Sequence, residues 1–79
     1  TQVILSLSKS EDYYLGKDKI LMNEIIPEIN KQFKVNKTDT VFLRADFSLA
    51  YGKVARLMSF LKRGGIHKIA LVTMTEDKK

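Results

Sequence analysis

Large apolar side chains stand at Val3, Leu5 and Leu7, mostly separated by smaller or polar residues. That period of two predicts a strand with one buried face. Lys9-Ser10-Glu11-Asp12 reads as a polar turn, and Tyr13-Tyr14-Leu15 as a short strand returning antiparallel. Gly16-Lys17-Asp18 interrupts it, and Lys19-Ile20-Leu21 offers one more short stretch of pairing.

The period then changes. Ile25, Ile26, Ile29 and Phe33 share one helical face, while Glu24, Glu28, Lys31 and Lys34 fall elsewhere. A helix is expected from near Asn23 to Val35-Asn36, with Asn23 as its cap and Glu24 in the dipole-favoured first turn. Pro27 fits only within that first turn, where a missing N–H costs little. Lys37-Thr38-Asp39 connects to the run Thr40-Val41-Phe42-Leu43-Arg44-Ala45, which suits a central strand covered on at least one face.

A second helix is expected from near Leu49 to Arg63. Tyr51, Val54, Ala55, Met58 and Leu61 make its inward stripe, with Lys53, Arg56, Lys62 and Arg63 mostly outward. Gly52 costs about 1 kcal/mol relative to alanine inside a helix, which points to close packing near Tyr51. Gly64-Gly65 supplies a left-handed stop, preceded by basic residues that suit the negative end of the helix dipole. Ile66 and Ile69-Ala70-Leu71-Val72 form a last strand, and Glu76-Asp77-Lys78-Lys79 is expected to fray.

Crossovers of this length are right-handed and join parallel strands of one sheet. The fold class is therefore α+β: a ββαβαβ mixed sheet with two helices packed on one face, a single domain over residues 1–79. The other face is solvated, lightly covered or used for contact. Either the first or the last strand is expected at an edge able to accept another chain by strand addition.

Composition narrows the chemistry. With 44% hydrophobic and 29% charged residues the chain is globular rather than disordered. The absence of cysteine removes disulfides, thiolate metal sites and thiol nucleophiles. No apolar run reaches the ~18–20 residues needed to span a bilayer. A start at Thr1, without methionine and almost at once in a strand, is expected of a fragment whose membrane part lies elsewhere. The net charge of +5 fits nucleic acid, anionic lipid, an acidic protein, an anionic polymer, or simple solubility.

Catalysis needs converging groups, and few are offered. His67, the single histidine, sits between the glycine stop and the last strand, where a surface turn residue is the default. Asp46 follows a strand's C-terminal end, a position often functional in α/β proteins. Tying down the loop before the second helix, or pairing with Arg44, is the simpler role. Gly64-Gly65 follows a helix instead of preceding one, which is wrong for cradling phosphate. No enzyme, cofactor or metal is expected. Lys53, Arg56, Lys62 and Arg63 could lie along an anionic polymer. A nucleic acid is disfavoured because the chain lacks the Arg-Gly-Phe and aromatic–basic patterns of RNA-recognition modules.

Several segments carry a resemblance in their order and spacing. They are Tyr14-Leu15-Gly16, Leu21-Met22-Asn23-Glu24, Arg44-Ala45-Asp46, Tyr51-Gly52-x-Val54, Leu61-Lys62-x-x-Gly65 and Lys68-Ile69-Ala70-Leu71-Val72. Together they resemble the C-terminal signature of the TolR/ExbD family across nearly the whole chain. Phe33-Lys34-Val35-Asn36, Thr40-Val41-Phe42-Leu43 and Leu71-Val72-Thr73-Met74 look more like the TolR branch.

The resemblance implies a non-enzymatic periplasmic domain at the bacterial inner membrane. Its own membrane helix, with a proton-handling aspartate, would lie upstream. It would act as a homodimer beside a TolQ-like membrane partner and relay motion to a TolA-like periplasmic partner in the Tol–Pal system, with contact to peptidoglycan. The ExbD alternative would energise TonB-dependent transport. Tyr14, Arg44, Asp46, Tyr51 and Gly65 are the family-motif positions, with structural or interaction roles implied.

Overall fold

Within β1 (Val3–Leu7) the odd positions are buried and Ile4 and Ser6 only half-buried, so the period of two maps directly onto the two faces of a sheet. The computed structural model describes residues 2–75, with side chains as far as Val72. The fraying expected of Glu76–Lys79 lies outside the described residues.

Two short strands follow, β2 (Tyr13–Leu15) and β3 (Asp18–Ile20), then a 3₁₀ turn over Met22–Glu24 and helix α1 (Ile25–Asn36). Strand β4 (Thr40–Asp46), helix α2 (Tyr51–Arg63) and strand β5 (Lys68–Thr75) complete the order. The sheet runs β3-β2-β1-β4-β5. Strand β1 is antiparallel to β2 and parallel to β4, and β4 is parallel to β5, so the sheet is mixed as expected. The first strand is therefore interior, and among the described residues the free edges belong to β3 and β5.

One face carries both helices. Val3, Leu5 and Leu7 of β1 and Val41, Leu43 and Ala45 of β4 meet Ile25 and Ile29 of α1 and Val54, Leu57 and Leu61 of α2. Full burial of such a leucine or isoleucine contributes roughly 1.5–3 kcal/mol each.

The start of α1 differs from the sequence expectation. Asn23 is not its cap, because the chain enters through the 3₁₀ turn. There the Glu24 carboxylate accepts the Leu21 N–H at 2.7 Å. This is half of a capping box; Leu21 has no side-chain oxygen to supply the other half. Pro27 does fall in the first turn of α1, where its missing donor is harmless.

The inward stripe of α2 is also displaced. Val54, Leu57 and Leu61 are buried, while Tyr51 is 62% exposed and Ala55 and Met58 are half-buried. The helix begins only at Tyr51, so its first residue stands clear of the core. Gly52 permits no close packing, since a Cβ there would meet nothing within 4 Å.

The C-terminal stop of α2 divides its work between two glycines. Gly65 is the left-handed residue, at φ 93°. Its N–H donates to the Lys62 carbonyl at 3.0 Å, and that of Ile66 to Leu61 at 2.9 Å. This is a Schellman motif sealed by two buried side chains, Leu61 and Ile66. Gly64 has an ordinary φ of −83° and matters instead for close approach to α1.

Candidate interaction surfaces

Strand β5 is the long free edge of the sheet. It spans eight residues against three in β3, the opposite edge. On its far side it offers backbone N–H and C=O groups that a further strand can pair with. Leu71 and Val72 on it are 39% and 48% exposed. A register shift between Leu43 and Arg44 moves the opposite residue from Leu71 to Thr73, so Val72 is the extra residue of a bulge.

The sheet face without helices is the second surface. Parallel strands are normally covered on both sides, yet β1, β4 and β5 have a helical layer on one side only. Pairing places Lys19, Tyr14, Ser6 and Arg44 in one row across four strands of this open face. Ile4, Phe42 and Ala70 form the neighbouring row, and each is half-buried.

The basic side of α2 is the third surface. Lys53, Arg56 and Arg63 are exposed and lie at intervals of three and seven, close to whole turns, so they share one stripe. Lys62, nine residues after Lys53, lies roughly half a turn away around the helix and does not join them. Lys53 Nζ reaches Glu11 Oε1 at 3.0 Å and ties the β1–β2 turn to the helix. Glu11 itself has a φ of 68° in that turn.

Comparison with known proteins decides the family. The family model described as "Biopolymer transport protein ExbD/TolR" matches residues 1–76. The chain belongs to the ExbD/TolR family. It is 30% identical over 70 residues to the biopolymer transport protein ExbD of Escherichia coli (strain K12), covering 89% of this chain and 50% of that protein. The same values relate it to ExbD of Shigella flexneri. The chain thus spans about half the length of the curated relatives it matches. Both are named ExbD, and the family description covers both branches, so the matches do not separate TolR from ExbD.

The five positions that the sequence resemblance singles out fall into two groups. Tyr14, Arg44 and Asp46 share the open sheet face, Tyr14 and Arg44 in one row and Asp46 two residues further along β4. Tyr51 and Gly65 lie instead at the two ends of α2, as its exposed first residue and its left-handed stop. No single site unites all five.

Asp46 ties its loop down. Its carboxylate accepts the Ser48 hydroxyl and the Ser48 N–H, the latter at 2.8 Å, which fixes the turn leading into α2. Those bonds to the charged form hold its carboxyl below the ordinary aspartate range. Asp39 is lowered likewise, first by its hydrogen bond from Lys68. Lys68 Nζ stands 3.0 Å away, joining the entry of β4 to the start of β5.

His67 is an exposed residue of the connection between α2 and β5, and no cluster of three metal-binding side chains is found among the described residues. No helix of the described residues is long and apolar enough to cross a membrane.

The sequence gives Phe60 no role, and Met22 only a place in the Leu21-Met22-Asn23-Glu24 segment, although both matter to these surfaces. Phe60 stands at the seventh position after Lys53, within the basic stripe, and packs partly against the core. Met22 is 51% exposed in the 3₁₀ turn beside it. The spacing of Lys53, Arg56, Phe60 and Arg63 was the available signal for Phe60. Nothing local marks Met22, because its place depends on how α1 is entered.

Proposed function

We propose that this chain is the periplasmic interaction and force-relay domain of a proton-motive-force-driven inner-membrane complex, and that it performs no catalysis. Its own part is to bind and transmit. The proton-handling acid lies in a membrane helix upstream of Thr1, next to a TolQ- or ExbB-like partner. The observation that carries the reading is the unpaired eight-residue edge of β5 in a domain of the ExbD/TolR family. Strand addition there couples a moving partner to the centre of the sheet through β4, whose backbone is bonded on both sides.

The finer reading is a TolR-type domain that acts as a homodimer in the Tol–Pal system, serving outer-membrane integrity and cell division, and engages a TolA-like segment. An ExbD-type domain that engages a TonB-like segment is the second reading, favoured by the names of the curated relatives. Amide hydrogen exchange distinguishes them. A TolA-derived periplasmic segment is expected to slow exchange along residues 68–75 more than a TonB-derived one. The reverse order would assign the ExbD branch. Protection of neither edge strand by either segment would overturn the strand-addition reading.

A further inference from the structure

Beside the basic stripe of α2 runs a groove that the edge of β5 does not touch. Two depressions make it. One, of about 180 Å³, is lined by Leu7, Tyr13, Met22, Lys53, Arg56 and Leu57, with Glu11 at its end. The other, of about 440 Å³, is lined by Met22, Ala55, Arg56, Ser59, Phe60 and Arg63. Met22 and Arg56 line both, so the two adjoin along the helix. From Lys53 to Arg63 the helix advances about 15 Å, the length of four or five extended residues.

The floor and the rim differ in chemistry. Met22, Leu57, Phe60 and Ala55 supply an apolar floor, and Lys53, Arg56 and Arg63 a cationic rim. Glu11 is the one carboxylate among the lining residues, and Lys53 engages it at 3.0 Å. Arg56 and Arg63 have no ion pair among the described residues. Methionine is polarizable and adaptable, and arginine binds carboxylates through two parallel hydrogen bonds.

We infer that the groove of Met22, Phe60, Arg56 and Arg63 docks a short acidic peptide segment of a partner protein, one with an apolar anchor flanked by carboxylates. A glycan strand has less to gain, because neutral sugar hydroxyls cannot form the charge-assisted, two-bond pairs that carboxylates form with Arg56 and Arg63. The apolar anchor sits on Met22 and Phe60, and the carboxylates reach Arg56 and Arg63. This docking shares no residue with strand addition at β5, so the domain has separate places for two partner segments.

The test is an NMR titration of the chain, labelled at methionine methyls and phenylalanine rings. The probes are a capped peptide of Leu-Phe flanked by two glutamates on each side, its glutamine counterpart, and soluble peptidoglycan glycan strands. The glutamate peptide is expected to shift the Met22 methyl and Phe60 ring signals. The glutamine peptide is expected to bind about tenfold more weakly, as is the glutamate peptide to the Arg56→Glu chain. Met22→Ala, at an exposed position, is expected to weaken binding several-fold while circular dichroism stays unchanged. Unmoved Met22 and Phe60 signals would overturn the inference. So would equal affinity for both peptides, or the same shifts produced more strongly by glycan strands. Slowed exchange at β5 reports separately on the strand-addition reading.

Discussion

A Cβ at Gly64 would stand 2.5 Å from Ile26 Cδ1 and 2.8 Å from its Cγ1. The end of α2 and the start of α1 thus meet with the bare backbone of Gly64 against the Ile26 side chain. Gly64→Ala is expected to force Ile26 off its rotamer and cost about 1–3 kcal/mol. For a domain of this size each kcal/mol lowers Tm by roughly 4–8 °C. The cost should shrink in an Ile26→Ala background, and thermal unfolding of the double-mutant cycle measures that coupling. Additive losses would show that the helices do not meet there.

Gly52 gives the opposite expectation. It lies inside α2 with open space where a Cβ would be. Gly52 is the second residue of α2, so Gly52→Ala should stabilise by less than the roughly 1 kcal/mol of a helix interior, through helix propensity alone. Urea unfolding checks the sign, and a loss would mean that Gly52 packs against something in the folded chain.

The elements were legible because each has its own period: alternation at Val3, Leu5 and Leu7, and helical spacing at Ile25, Ile29 and Phe33. Where the reading failed, a tertiary choice decided. Tyr51 and Leu57 both lie within the apolar spread of α2, and only the docking angle of the helix decides which is buried. Gly52 and Gly64 are equally bare in sequence, and only the position of Ile26 makes a side chain costly at one of them. The edge was open to two strands until pairing put β1 between β2 and β4. The groove was illegible because its floor joins Met22 to Phe60, nearly forty residues away, through the packing of two helices. The order of motifs carried the family further than any local chemistry did.

Leu43 is fully buried at the centre of β4, between β1 and β5 and beneath both helices. Leu43→Ala should cost about 2–5 kcal/mol. A chain of this length has a net stability of only roughly 4–12 kcal/mol. The variant is therefore expected to lose a large share of that stability and to unfold at a Tm lowered by roughly 8–40 °C. Near-ultraviolet circular dichroism and Tm test this, and a drop under 1 kcal/mol would contradict the burial.

Lys37 ends α1 in the left-handed region at φ 53°, with the Thr38 N–H returning to the Phe33 carbonyl at 3.1 Å. A side chain in that conformation costs about 1 kcal/mol that glycine does not incur. Lys37→Gly is expected to raise stability by somewhat less, since glycine also gains entropy in the unfolded chain. Lys37→Val, β-branched, should do the reverse. If both variants unfolded at the same temperature, the left-handed stop would not be present in solution.

The Asp46–Ser48 turn predicts a pH dependence. In the unfolded chain Asp46 has the ordinary aspartate value of 3.8, and in the folded chain it lies lower because Ser48 donates to the charged form. The folded state therefore binds that proton more weakly, and the turn adds stability at every pH above the unfolded value. That contribution falls away as pH drops below 3.8 and through the folded value. Ser48→Ala removes the hydroxyl donor but keeps the backbone one, so the Asp46 carboxyl should titrate at a higher pH than in the parent chain while remaining somewhat depressed. Carboxyl-carbon NMR across the acid range reads both midpoints directly. Identical midpoints in parent and variant would mean that the Ser48 hydroxyl does not hold the loop that launches α2.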